Sequence, residues 1–136
     1  MTNICCAIGD AQIKKLDNII KKKKQIDKLY KKYLKNFDIK FQQNIKFGFS
    51  TYWLINVLFK SRKIKSKVEK MLAKKKIETR PIFKPINRLP MYKKSDKKFQ
   101  KSIDIFSRGI SLPSYPGLTD QQIKYICSNI IKSIKT

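Results

Sequence analysis

At 136 residues and 41% hydrophobic, the chain has the length of one domain and enough apolar side chains for a core, and its aromatic and β-branched residues run along the whole length, which argues against disorder. Its formal net charge is +24, from 33 Lys and Arg against 9 Asp and Glu. There is no histidine, and the three cysteines (Cys5, Cys6 and Cys127) have no C-x-x-C spacing. That argues against a zinc site and a disulfide framework, excludes any Ser-His or Cys-His nucleophile pair, and fits a reducing cytoplasm.

The charge admits three readings: a solvated lysine surface, a nucleic-acid surface, or a face that meets an acidic partner. Only Arg62, Arg80, Arg88 and Arg108 are arginine. Base and phosphate readers draw on arginine's planar fork, so the solvated reading is preferred over nucleic acid as a partner. The longest uncharged run, Phe47 to Phe59, is too short to span a bilayer and reads as a buried strand, so no membrane is expected. The N-terminus has no basic n-region and does not read as a secretory signal.

Along the chain, the first expected element is one long helix. Ile4, Ile8, Ala11, Leu16, Ile19, Ile20, Ile26, Tyr30, Tyr33 and Leu34 recur at three- and four-residue steps, and Thr2 or Asn3 can cap the start. Running to Leu34 it would measure roughly 45 Å, longer than the width of about 30 Å expected of a domain this size, so one end should project. Gly9 in its middle marks either close approach of another backbone or nothing. Thr51 to Phe59 reads as a central strand with both faces apolar: Trp53, Ile55, Val57 and Phe59 on one, Tyr52, Leu54 and Leu58 on the other. Ser61 then caps a helix carrying Ile64, Val68, Met71 and Leu72, and a short strand is expected near Ile77 to Thr79.

All five prolines fall in two runs, Ile77 to Tyr92 and Ser107 to Thr119. Proline fixes φ and removes a donor, so these are irregular, rigid connections of the kind that carry ligand sites. Pro81 forces Arg80 out of the helical region, and an extended Arg80 is free either to grip a phosphate or carboxylate or to pair with Glu78 or Asp104. Phe83, Pro85 and Tyr92 form either an apolar wall beside it or ordinary loop packing. A helix through Phe99, Ile103 and Phe106 stops at Gly109, and Ile110 to Leu112 reads as a strand closed by Pro113. In the last helix, Thr119 and Gln122 form a T-x-x-Q capping box, Leu118 and Ile123 a hydrophobic staple, and Cys127 sits on the apolar stripe from Ile123 to Ile134. The sum is an α+β fold, with a small mixed or antiparallel sheet, packed helices and a long N-terminal helix.

Three motifs carry a resemblance. MTNICCAIGDAQIKKLD, IETRPIFKPINRLPMY and SRGISLPSYPGLTDQQIKYI resemble, in order, segments of the DegT/DnrJ/StrS family of sugar aminotransferases, which use pyridoxal phosphate (PLP). The resemblance covers essentially the whole chain and implies that residues 1–136 are the C-terminal small domain of a fold-type I aminotransferase. The large PLP-binding domain, with the lysine that anchors PLP covalently, would precede Met1. The complete enzyme would move an amino group from glutamate to a nucleotide-linked keto-sugar, with this part inactive alone.

The resemblance also implies a homodimer with shared active sites, in which Asn3 reaches the PLP phosphate of the neighbouring subunit. Arg80, Phe83 and Tyr92 would border the substrate side. The family's histidine after K-P-L is replaced by Asn87, preceded by Ile86. Two other readings compete: a half-protein pairing with a separately encoded large domain, and a small basic nucleic-acid-binding protein supported by charge alone.

Overall fold

The computed structural model describes residues 1–44 and 46–135. In chain order these form α1 (Asn3–Ile13), α2 (Leu16–Leu34), β1 (Ile39–Phe41), β2 (Ile55–Phe59), α3 (Arg62–Lys74), β3 (Arg80–Pro81), α4 (Gln100–Arg108), β4 (Gly109–Leu112) and α5 (Asp120–Lys135). Short 3-10 turns at Ile86–Arg88, Pro90–Tyr92 and Asp96–Phe99 lie between β3 and α4. The α+β architecture expected from the sequence is the one that forms. Its sheet is antiparallel throughout, in the order β1-β2-β4-β3.

The core follows from strand alternation. Ile55, Val57 and Phe59 of β2 are buried, and Leu112 and Ile110 of β4 stand opposite Ile55 and Val57. Against them pack Ile26, Tyr30 and Leu34 of α2, Val68 and Leu72 of α3, and Ile123, Ile126, Cys127 and Ile130 of α5. Full burial of one such side chain contributes about 1.5–3 kcal/mol. The Tyr30 hydroxyl, deep in this cluster, donates to the Pro113 carbonyl at 2.9 Å, so its polar end is satisfied and the β4–α5 connection is tied to α2.

Helix starts follow local rules. Ser61 Oγ accepts from the Ile64 amide. The Thr119 amide donates to Gln122 Oε1 at 2.9 Å while Thr119 Oγ1 accepts from the Gln122 amide at 3.2 Å, a reciprocal capping box. Leu118 packs half-buried on the core beside fully buried Ile123 as the staple requires.

Local differences from the sequence reading have physical causes. The N-terminal helix is two helices. Near the junction the Lys15 amide bonds to Gln12 O, an i→i−3 tightening, and α1 buries no residue that would hold it in line with α2. The strand expected from Thr51 begins only at Ile55, because Tyr52 adopts φ 54° and breaks the extended run. β1 was not anticipated, and the strand expected near Ile77 forms instead at Arg80–Pro81. At Gly109, where α4 turns into β4, an added Cβ would lie 2.6 Å from Ile82 Cγ1, 2.7 Å from Ile105 O and 2.8 Å from Leu58 Cδ2. Glycine is what lets the Pro81–Ile82 segment close onto the sheet. At Gly9 nothing lies within 4 Å.

A candidate substrate cleft at the sheet edge

β3 positions Arg80. In the antiparallel register Arg80 stands opposite Ser111 and Pro81 opposite Ile110, so the arginine sits on the sheet face away from the core. Arg80 and Ser111 line a cleft of about 690 Å³, together with Lys23, Trp53, Lys76 and Glu78. Arg80 Nε lies 3.4 Å from Glu78 Oε1, and both side chains are largely exposed. An exposed pair of this kind is weakly held, so the guanidinium remains free to take a better anion. Lys23, Lys76 and Arg80 against the single carboxylate of Glu78 make the cleft cationic.

Lys23 does structural work from inside the lysine run of α2. Its ammonium donates to Tyr52 O at 3.1 Å, Trp53 O at 2.8 Å and Ser114 Oγ at 3.3 Å, and burial lowers its pKa. It thereby clamps the left-handed corner at Tyr52 to the loop after β4, and this corner presents Trp53. The Trp53 ring meets Phe83 with centroids 6.2 Å apart and planes at 31°.

A row of polar side chains crosses the same sheet face. Ser111 Oγ donates to Asn56 Oδ1 at 2.7 Å, and Asn56 Nδ2 donates to Gln42 Oε1 at 3.0 Å. Ser111 is 4% exposed, Asn56 lies on β2 and Gln42 follows β1. With Arg80 the row runs from β3 across β4 and β2 to the residue after β1.

The proline loop is closed on itself. Buried Asn87 donates through Nδ2 to Asp96 Oδ1 at 2.9 Å, its carbonyl accepts from the Lys94 amide at 2.9 Å, and Arg88 Nε bonds Asp96 Oδ2 at 3.0 Å. The Arg88 hydrogen bond, and then that of Asn87, holds the Asp96 carboxyl below the usual carboxylate range. Asn87 Oδ1 is buried without a hydrogen-bond partner among the described residues.

The sequence-predicted site residues are therefore not all together. Arg80 is in the cleft, and Phe83 does not line it but packs on Trp53, which does. Tyr92 is exposed on the turn Pro90–Tyr92 and does not line the cleft. Asn3 is exposed in the first turn of α1, also outside it. Of the two possible caps it is Thr2 that caps, with Oγ1 accepting from the Cys5 amide at 3.4 Å, so the Asn3 amide is not consumed. Lys23, Asn56 and Ser111 were missed: nothing in a run of four lysines marks one of them, and the polar row exists only once the strands pair. Among the described residues no cluster could hold a metal ion, and no helix is long and apolar enough to cross a membrane.

Residues 1–131 match the model of the DegT/DnrJ/EryC1/StrS aminotransferase family. The chain belongs to that family. It is 39% identical over 130 residues to a GDP-perosamine synthase of Escherichia coli O157:H7, a match covering 96% of this chain and 35% of that protein. It is 38% identical over 137 residues to the GDP-perosamine synthase of Vibrio cholerae, covering 98% and 37% respectively. The chain thus spans about a third of the length of these relatives. Among solved structures, Helicobacter pylori PseC, an aminotransferase involved in the biosynthesis of pseudoaminic acid, superposes with a TM-score of 0.79 at 20% identity, over 95% of this chain and 36% of that one. At that identity the likeness establishes the shared fold. None of these findings supports the nucleic-acid-binding alternative.

Proposed function

We propose that residues 1–136 are the small C-terminal domain of a PLP-dependent nucleotide-sugar aminotransferase, which transfers an amino group from glutamate to a nucleotide-linked keto-sugar in the cytoplasm. The observation that carries this is the family match along nearly the whole chain, combined with coverage of only 35% of the GDP-perosamine synthase relative. A PLP-binding large domain supplies the remainder, and a homodimer completes the shared site.

The fit of this chain to PLP is limited to one end of the cofactor. The first amides of α1 have no partners inside the helix, though Thr2 takes that of Cys5, and the Asn3 side-chain amide is exposed and not engaged in capping. Such an arrangement suits a phosphate. In the assembled enzyme Asn3 would hold the PLP phosphate of the neighbouring subunit. When bound, PLP supplies the electron sink for transamination. The contributions of this chain are binding and orientation: Arg80 takes an anionic group of the substrate, and Trp53, stacked on Phe83, gives the cleft an apolar border that excludes water.

This half-site does not hold the cofactor covalently, and the chain alone is inactive. Incubation with PLP and borohydride, followed by mass spectrometry, is expected to give no stoichiometric lysine adduct. A single full adduct accompanied by glutamate-dependent turnover overturns the reading.

A further inference from the structure

The polar row has a direction. Ser111 Oγ gives its proton to Asn56 Oδ1, and Asn56 passes a hydrogen bond on to Gln42 Oε1. The Ser111 hydroxyl proton is therefore committed, and what the hydroxyl presents to the cleft is acceptor lone pairs. The oxygen is fixed, since Ser111 is 4% exposed and Asn56 is itself held by Gln42. Its cross-strand neighbour Arg80 offers only donors, and both side chains line the same cleft. A fixed acceptor beside a cation capable of a bidentate grip is a two-point reader for a hydroxyl next to an anionic group.

The geometry points to Ser111 as a specificity-determining residue that accepts a hydrogen bond from a sugar hydroxyl while Arg80 grips the adjoining phosphate, with Asn56 and Gln42 as the positioning residues that aim it. This rests on the reading of the chain as a sugar-aminotransferase domain; glutamate, whose α-ammonium adjoins a carboxylate, offers the same donor–anion pair, but a cleft of about 690 Å³ suits the larger nucleotide sugar.

The test is binding of a GDP-linked hexose, GDP alone and L-glutamate to the 136-residue chain, by calorimetry and amide spectra, for wild type, Ser111→Ala, Ser111→Thr and Arg80→Ala. Loss of one neutral hydrogen bond weakens Ser111→Ala for the GDP-hexose about fivefold and leaves GDP unchanged. Ser111→Thr, which keeps the hydroxyl, retains the preference for GDP-hexose over GDP, and Arg80→Ala weakens both ligands. Amide spectra superposable on wild type identify a folded variant. Equal GDP-hexose affinity in wild type and Ser111→Ala overturns the inference, as does an equal loss for GDP, or a loss confined to glutamate. No binding by the wild-type chain overturns it too. All of these outcomes leave the aminotransferase reading standing, because that reading is tested by adduct formation and reconstitution.

Discussion

Gly109→Ala tests whether close approach at one backbone position sets the site. The new methyl carbon would sit 2.6 Å from Ile82 Cγ1, 2.8 Å from Leu58 Cδ2 and 2.7 Å from the Ile105 carbonyl oxygen. Two of these contacts are side chains and can shift, but the carbonyl belongs to the last turn of α4 and moves only with the helix. Overpacking of this kind costs about 1–3 kcal/mol, and the backbone contact puts this site at the upper end. Against it stands a gain of about 0.4–1 kcal/mol from a less flexible unfolded chain, available because φ −100° and ψ 150° suit alanine. The balance is a loss of about 2 kcal/mol, which lowers the urea midpoint by about 1 M. Gly9→Ala is the control: it sits mid-helix with nothing within 4 Å and should gain about 1 kcal/mol. Equilibrium urea unfolding followed by far-UV circular dichroism reads both. If Gly109→Ala is as stable as wild type, the claim that glycine admits the Pro81–Ile82 segment onto the sheet is wrong, and with it the account of how Arg80 is placed.

Three further predictions concern stability and reactivity. Thr119→Ala removes the cap acceptor of α5 and should cost about 1 kcal/mol in the same unfolding assay, with Thr119→Ser restoring it. Hydrogen bonds from Arg88 and Arg108 hold Asp96 and Asp104 below the usual carboxylate range. A lowered folded-state pKa contributes stability above the unfolded value near pH 4, and that contribution is lost as pH falls through the folded value. Wild type should therefore lose stability below about pH 4, and the double variant Asp96→Asn, Asp104→Asn should lose less over that interval, in thermal melts at stepped pH. Cys127 is buried and its thiol is pushed up to about 12. A disulfide reagent at neutral pH should label exposed Cys5 and Cys6 quickly and Cys127 only on unfolding, and rapid labelling of all three in the native chain would refute the placement of Cys127 in the core.

What was legible in the sequence was local. The α5 capping box depends on two residues three apart, and forms as read. Arg80 was legible because Pro81 restricts it whatever lies around it. The β2 core face was legible from alternation at Ile55, Val57 and Phe59. Features set by distant residues were not legible. The strand stops short of Trp53 at a corner whose carbonyls are held by Lys23, thirty residues away in the chain. The Ser111–Asn56–Gln42 row joins three separate segments and appears only when antiparallel pairing sets the register. β1 has three residues, too few for a pattern. Asn3 was read from its place at a helix start, and Phe83 and Tyr92 from the proline loop, but only the folded chain shows that Arg80 lines the cleft, that Phe83 stacks on Trp53 at its border, and that Asn3 and Tyr92 lie outside it.

The central claim is that this chain is one half of a sugar-aminotransferase site, completed by a PLP-binding large domain. The most direct measurement joins the chain to the part of the E. coli GDP-perosamine synthase that it does not match, adds PLP, and follows glutamate-dependent amination of a GDP-linked keto-sugar. The synthase's own C-terminal part, joined in the same way, is the reference. The account predicts turnover with both, and none from this chain alone. Turnover with the reference but none with this chain, both joined proteins being folded and dimeric, would contradict it.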